Sequence, residues 1–232
     1  MELRRRGLKP KPPPANVYQQ SFFRFLTECL WTYDEAMAGM ERQWPTGADW
    51  DPMWRDWETA LLCCSPLLVD KTRRVMASHI VCAFDLWLCL GGQDPRWPSL
   101  MLSTGHRLVL IQAKKLEGKT GAAEFLDRIG KEYKLAIKHG LRDKWPQLPE
   151  AEFTFSKARF SNGSEIEAVP QGGDQIRGPG ATLIHMEEVG VMEKAQQSIG
   201  SALPALSGLG HLVGVTTPNA ASFAKKIRNG EV

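Results

Sequence analysis

Between Val17 and Gln43 the apolar residues Phe22, Phe25, Leu26, Cys29, Leu30, Tyr33, Met37 and Met40 recur at steps of three and four, which predicts a helix with one apolar face. Residues 44–57 break that period. Four tryptophans stand there among Pro, Gly and Asp, the pattern of an irregular segment pinned to the body by its aromatics. From about residue 60 strand-length apolar runs alternate with helix-length amphipathic ones. Strands are predicted at 66–70, 107–112, 181–186 and 211–216, with helices at 76–90, 121–139 and 193–206. Such alternation describes an α/β fold, a mainly parallel sheet with helices on both faces. Residues 152–160 and 164–170 flank Asn162-Gly163 and predict an antiparallel hairpin insertion with a type I′ turn. Residues 1–15 are basic and then proline-rich, an extended arm.

Composition narrows this picture modestly. A chain of 232 residues with 43% hydrophobic and 24% charged residues can bury one sizeable core and a small lead-in subdomain. The net charge of +3 permits contact with nucleic acid without arguing for it; the Arg4-Arg5-Arg6 cluster suits either phosphate contact or a solvated tail. The cysteines Cys29, Cys63, Cys64, Cys82 and Cys89 show no CxxC spacing and read as small buried hydrophobes in a reducing compartment. The apolar run 75–90 contains Ser78, His79 and Asp85 and is too short to span a bilayer comfortably, so a soluble intracellular protein with no membrane partner is expected. The histidines His79, His106, His139, His185 and His211 form no ligand cluster in the sequence.

A nucleotide site on such a sheet needs a loop that cradles phosphates, an acid at a strand end for Mg²⁺, and a polar group that orients water. Two loops compete for the first role. AKKLEGKT (113–120) ends in Gly118-Lys119-Thr120 but has Ala113 where G-x-x-x-x-G-K-[ST] starts with glycine, and Glu117 beside the phosphates. DKTRRVMAS (70–78) has no glycine, yet Lys71, Arg73 and Arg74 can surround a triphosphate at a helix N-terminus. For the acid, the run 181–186 leads into Glu187-Glu188. Residue types and spacing leave both loops open.

The stretch LLVDKTRRVMASHIVCAFDLWLCL resembles the deviant Walker A region of phage terminase large subunits, and RLVLIQAKKLEGKTGAAEFLDRI resembles the strand and helix that follow it there. The resemblance covers about residues 60–232 and rests on the order basic loop, arginine-glycine, acid pair, Thr-Thr-Pro. It implies an additional-strand, RecA-like P-loop NTPase core at 60–232, after the arm and a helical, Trp-rich lead-in at 16–59. It assigns ATP to Lys71, Thr72, Arg73, Arg74, Val75, Met76, Ala77 and Ser78, and Mg²⁺ to Ser78 and to Glu187 in a Walker B strand. Gly118-Lys119-Thr120 then stands outside the nucleotide loop. Glu188 becomes the catalytic glutamate. Arg177, from Asp174-Gln175-Ile176-Arg177-Gly178, becomes an arginine finger acting from a neighbouring subunit, with Arg73 the rival in cis. Thr216-Thr217-Pro218 becomes the coupling motif. Three departures from the family pattern stand out: Met76 for the loop glycine, Ala77 for the loop lysine, and Glu187 for aspartate.

The implied activity is ATP hydrolysis driving double-stranded DNA into a viral procapsid, in the cytoplasm of an infected bacterium. The implied partners are the portal protein, the procapsid, the small terminase subunit and further copies in a ring, with a monomer expected in isolation. The family's C-terminal nuclease domain is not expected in these residues, nor is nuclease activity. Adenine contacts are expected in the first 60 residues, with Gln19, Gln20 and Gln43 as candidates. Two other functions fit the same residues: a helicase-like nucleic-acid-stimulated ATPase, and a non-catalytic nucleotide- or DNA-docking module.

Overall fold

The computed structural model describes residues 16–34, 39–71, 76–97, 106–176 and 180–217. Its centre is a seven-stranded sheet in the spatial order β3 (Leu67–Asp70), β9 (Leu206–Thr216), β8 (Ala181–Glu187), β4 (Leu108–Ala113), β7 (Glu165–Pro170), β6 (Lys157–Phe160), β5 (Ala151–Phe153). The first five strands run parallel, and β6 and β5 add antiparallel at one edge. The fold is RecA-like α/β. Strand β9 lies between β3 and β8, so the additional strand separates the loop strand from the acid strand. Its register pairs Asp70 with Thr216 and Glu187 with Val215, which brings the C-terminal tips of three strands level.

Alternating residues of the central strands feed two cores, as a sheet covered on both faces requires. Val109, Ile111, Leu183, Val213 and Val215 join one core, with helices α4 (Ala77–Cys89) and α5 (Ala122–Lys138). Leu110, Ile184, Met186 and Leu212 join the other, with α7 (Ala195–Ala205). Helix α4 is buried at every position except His79, because the sheet, α5 and the lead-in enclose it. That enclosure is why its sequence is apolar all round. A four-residue helix α6 (Leu141–Lys144) follows α5.

The lead-in departs from the predicted continuous helix. Two short helices, α1 (Val17–Gln20) and α2 (Phe22–Cys29), are followed by an antiparallel hairpin of β1 (Trp31–Asp34) and β2 (Met40–Gln43). Tyr33 and Met40, expected on a buried helical face, are exposed. The hairpin is fixed from outside: Trp31 stacks on His139 at 3.7 Å, and Glu41 accepts hydrogen bonds from Lys138 at the end of α5. The Trp-rich segment is also more regular than expected, since helix α3 spans Asp51–Cys63 with Pro52 in its first turn. The boundary expected at residue 60 therefore falls inside α3. The lead-in shares the core: the Phe22 ring meets Phe84 at 5.1 Å, and Trp87 Nε1 donates to the Tyr18 carbonyl at 2.7 Å.

The hairpin at Asn162-Gly163 forms, with a different turn. Gly163 N donates to Phe160 O and Phe160 N to Ser164 O, both at 2.9 Å, and Gly163 is the turn residue with positive φ (85°). This is a type I turn followed by a left-handed glycine; type I′ would need positive φ at both central residues. Asn162 is held by its side chain, which accepts from Ser164 N and donates to Cys89 O. The strand expected at 152–160 is broken by a turn in which Thr154 N donates to Lys157 O, giving β5 and β6. Cys29, Cys82 and Cys89 are buried as expected, whereas Cys63 and Cys64, at the end of α3, are exposed. Among the described residues no helix is long and apolar enough to cross a membrane.

Phe22→Ala is expected to cost about 3–5 kcal/mol, as for a large buried aromatic removed from a filled core. Urea unfolding followed by far-UV circular dichroism and by tryptophan fluorescence checks this. Coincident transitions at lowered midpoint are expected, because lead-in and sheet share one core.

Candidate active site

The site is built where β3, β8 and β9 end. Lys71 N donates to Thr216 O at 2.9 Å, carrying the β3–β9 ladder one residue beyond the strand. Met76 then caps α4 and places Ser78, 8% exposed, in the helix's first turn. Lys71 Nζ donates to Ser78 Oγ at 3.1 Å, and Ser78 Oγ donates to Glu187 Oε2 at 3.1 Å. The same ammonium lies 3.8 Å from Glu188 Oε1, which accepts a hydrogen bond from Thr217 Oγ1 at 3.3 Å. Thr216 Oγ1 accepts from Gly190 N at 2.9 Å and so ties the β9 tip to the turn after the acids. Glu187 is wholly buried, while the side chains of Lys71 and Glu188 are 15% and 25% exposed. One acid thus belongs to the core, and the other faces solvent beside the lysine.

Among the described residues, Met76 (φ 45°) and Glu188 (φ 52°) are the two non-glycine residues with positive φ, and both border this site. A left-handed backbone costs an L side chain about 1–2 kcal/mol. At Glu188 it turns the chain out of β8 into the 3-10 turn Val189–Val191, closed by Val191 N donating to Glu188 O. At Met76 the backbone is one that glycine adopts freely, at the position where the resembling pattern has glycine.

Behind Glu187 lies a group that the sequence reading left without a role. His185 Nε2 is 3.1 Å from Glu187 Oε1, and His185 Nδ1 is 2.7 Å from Asp85 Oδ2 on α4; Asp85 and His185 are both 0% exposed. Burial alone would lower the imidazole, but the two carboxylates outweigh it and push it up to about 10. Burial raises the Asp85 carboxyl, against the pull of His185. Cys82 also converges here, its ligand atom and those of Asp85 and His185 lying within 4.8 Å of one another, which corrects the expectation that the histidines join no cluster. Both imidazole nitrogens are already engaged by carboxylates. Burial pushes the Cys82 thiol up, and its S–H points to Phe125 O. The side-chain spacing that carries this arrangement, 78 and 85 on one helix face with 185 and 187 on one strand face, is present in the sequence.

The rival loop is built differently. Ala122 N donates to Lys115 O, Ala123 N to Leu116 O and Glu124 N to Gly121 O, so the N-terminal amides of α5 are already used by their own loop. A cavity of about 650 Å³ beside it is lined by Gly118 and Lys119 but also by Glu117, Glu124 and Asp127, whose charges oppose a triphosphate. Gln19 lies at the other end of α4: its carbonyl accepts from Gln93 N. The helical rise from Ser78 to Cys89 puts that end about 16 Å from Ser78. Gln43 Nε2 donates to Thr27 O within the lead-in. Thr72, Arg73, Arg74, Val75, Arg177 and Pro218 lie outside the described residues.

No family model and no curated protein sequence matches this chain. Solved structures do. Over 94% of this chain the fold superposes on the large terminase of bacteriophage HK97, with a TM-score of 0.60 and 12% identity. The chain spans 42% of that protein's length. The large terminase ATPase domain of Thermus phage P74-26 aligns over 67% of this chain and 61% of its own, with a TM-score of 0.42 and 12% identity. The match to the HK97 protein shows that this chain shares the fold of that part of a large terminase.

Met76→Gly and Met76→Ala remove the same packing, so their difference isolates the backbone at φ 45°. Met76→Gly is expected to be the more stable of the two by about 1 kcal/mol, the reverse of the order in an ordinary helix. Urea denaturation of both variants checks it.

Proposed function

From a large-terminase fold as premise, we propose that this chain is the ATPase motor domain of a viral DNA-packaging enzyme, hydrolysing ATP to drive double-stranded DNA into a procapsid. The observation that carries the reading is the linked set Lys71, Ser78, Glu187, Glu188 and Thr217 at the level tips of β3, β8 and β9. Each member is a group that phosphoryl transfer needs, and the strand order is that of an additional-strand ATPase.

Lys71 places a positive charge at the phosphate end of the loop, beside the N-terminus of α4. The Ser78 hydroxyl and Glu187 carboxylate are hard oxygen donors 3.1 Å apart, a set that fits Mg²⁺. Mg²⁺ bound with ATP supplies neutralisation of charge on the phosphate oxygens. Glu188, partly exposed to solvent, orients the attacking water and accepts its proton at the carboxylate. Its neighbours limit its motion: Lys71 on one side and the Thr217 hydroxyl on the other. Thr217 therefore reports the state of Glu188 directly to the end of β9, which is the physical content of the coupling role for Thr216, Thr217 and Pro218. Thr72, Arg73, Arg74, Val75, Met76 and Ala77 complete the loop around the phosphates. Arg177 from a neighbouring subunit, or Arg73 in cis, supplies the finger for charge developing on the γ-phosphate. The partners on this reading are DNA, the portal and procapsid, the small terminase subunit and further copies in a ring.

Steady-state ATP hydrolysis by the wild type and by Lys71→Ala, Glu188→Gln and Lys119→Ala, each checked for folding, tests the reading. Lys71→Ala and Glu188→Gln are expected to lose activity by about a hundredfold or more, and Lys119→Ala to stay within about twofold of wild type, since the N-terminal amides of α5 behind its loop are already bonded within that loop. A dead Lys119→Ala beside an active Lys71→Ala would move the phosphate loop to 113–120 and overturn the assignment.

A further inference from the structure

The core behind the site holds a ladder of polar groups with two rungs. On α4, Ser78 and Asp85 are seven residues apart and share one face; on β8, His185 and Glu187 are two apart and share one face. The upper rung is Ser78 Oγ to Glu187 Oε2 at 3.1 Å, and the lower is Asp85 Oδ2 to His185 Nδ1 at 2.7 Å. A diagonal joins them, His185 Nε2 to Glu187 Oε1 at 3.1 Å. Glu187 therefore has an imidazole nitrogen against one oxygen and the Ser78 hydroxyl on the other. Glutamate has three side-chain torsions to fix, and free rotation would spread its carboxylate over several positions.

We propose that Asp85 and His185 are positioning residues: they hold the Glu187 carboxylate with one oxygen turned back into the core and the other presented beside Ser78. The inference rests on the reading of Ser78 and Glu187 as the Mg²⁺ side of an ATP site, and it adds to that site a buried pair that touches neither nucleotide nor metal. Outer-shell partners of this kind typically change metal affinity or activity 10- to 100-fold when removed. A purely structural ion pair would instead affect stability alone.

Two substitutions separate these cases, because both delete the ring and differ in which carboxylate they still reach. In His185→Gln the amide nitrogen stands near the former Nε2 and can still donate to Glu187. In His185→Asn it stands near Nδ1 and reaches only Asp85. The full chain is titrated with Mn²⁺ in the presence of ADP and followed by electron paramagnetic resonance. ADP affinity in EDTA and thermal unfolding are measured alongside. His185→Asn is expected to weaken Mn²⁺ binding about tenfold or more, His185→Gln to stay within about threefold of wild type, and ADP affinity in EDTA to be unchanged in both. In turnover, His185→Asn should lower kcat with KM for ATP nearly constant. Equal Mn²⁺ affinities in the two variants, with Ser78→Ala weakened, would overturn the positioning role and leave the ATP site standing. Absence of Mn²⁺·ADP binding by the wild type would overturn the ATP-site reading and this inference with it.

Discussion

The parallel insertion of β9 between β3 and β8 is the constraint on which the rest depends. It separates the loop strand from the acid strand by two strand spacings, about 9–10 Å across two ladders. That gap is bridged twice, directly by Lys71 and Glu188 and through Ser78 on the next helix to Glu187. The register leaves Lys71, Glu188 and Thr217 one step beyond Asp70, Glu187 and Thr216, so the polar residues gather at the last pairs of the ladders and just past them. An apolar sheet interior and a charged rim follow from the same geometry.

The rim nevertheless has a charged root in the core. Asp85, His185 and Glu187 are all fully buried, and burying charges is costly unless each is paired and hydrogen-bonded. Here the imidazole lies between two carboxylates, and one carboxylate continues to the serine. Such an arrangement is a poor way to gain stability compared with packed hydrocarbon. Its value lies in orientation, since each partner fixes the next. The left-handed backbones at Met76 and Glu188 belong to the same account: strain is retained at the two turns that border the site.

The strand tips were legible in the sequence because each is a local signal, an apolar run that ends in polar residues. The choice of Lys71 to Ser78 over 113–120, and the roles given to the acid pair and Thr216-Thr217, came instead from the resemblance to phage terminases. The lead-in hairpin was not, because Tyr33 and Met40 repeat at helical steps while Trp31 and Glu41 are held by His139 and Lys138, about a hundred positions away. The turn at Asn162-Gly163 was misread for a similar reason, its asparagine being tied to Cys89 O. Gly118-Lys119-Thr120 looks like a phosphate loop in the sequence, and only the fold shows that the amides of Ala122 and Ala123 behind it are taken by Lys115 O and Leu116 O. The Asp85–His185 pair spans 100 residues, and nothing adjacent to either marks it.

The near-complete enclosure of α4 has a mechanical meaning. A helix gripped by sheet, α5 and lead-in cannot rock without opening the core, so Ser78 and the residues that back it form the fixed jaw of a vice. The compliant jaw is Glu188 with Thr217, partly exposed and standing just beyond the end of the sheet. A load applied at Glu188 and Thr217 would pass along β9. There it meets two parallel ladders loaded in shear, where the hydrogen bonds resist together rather than one after another.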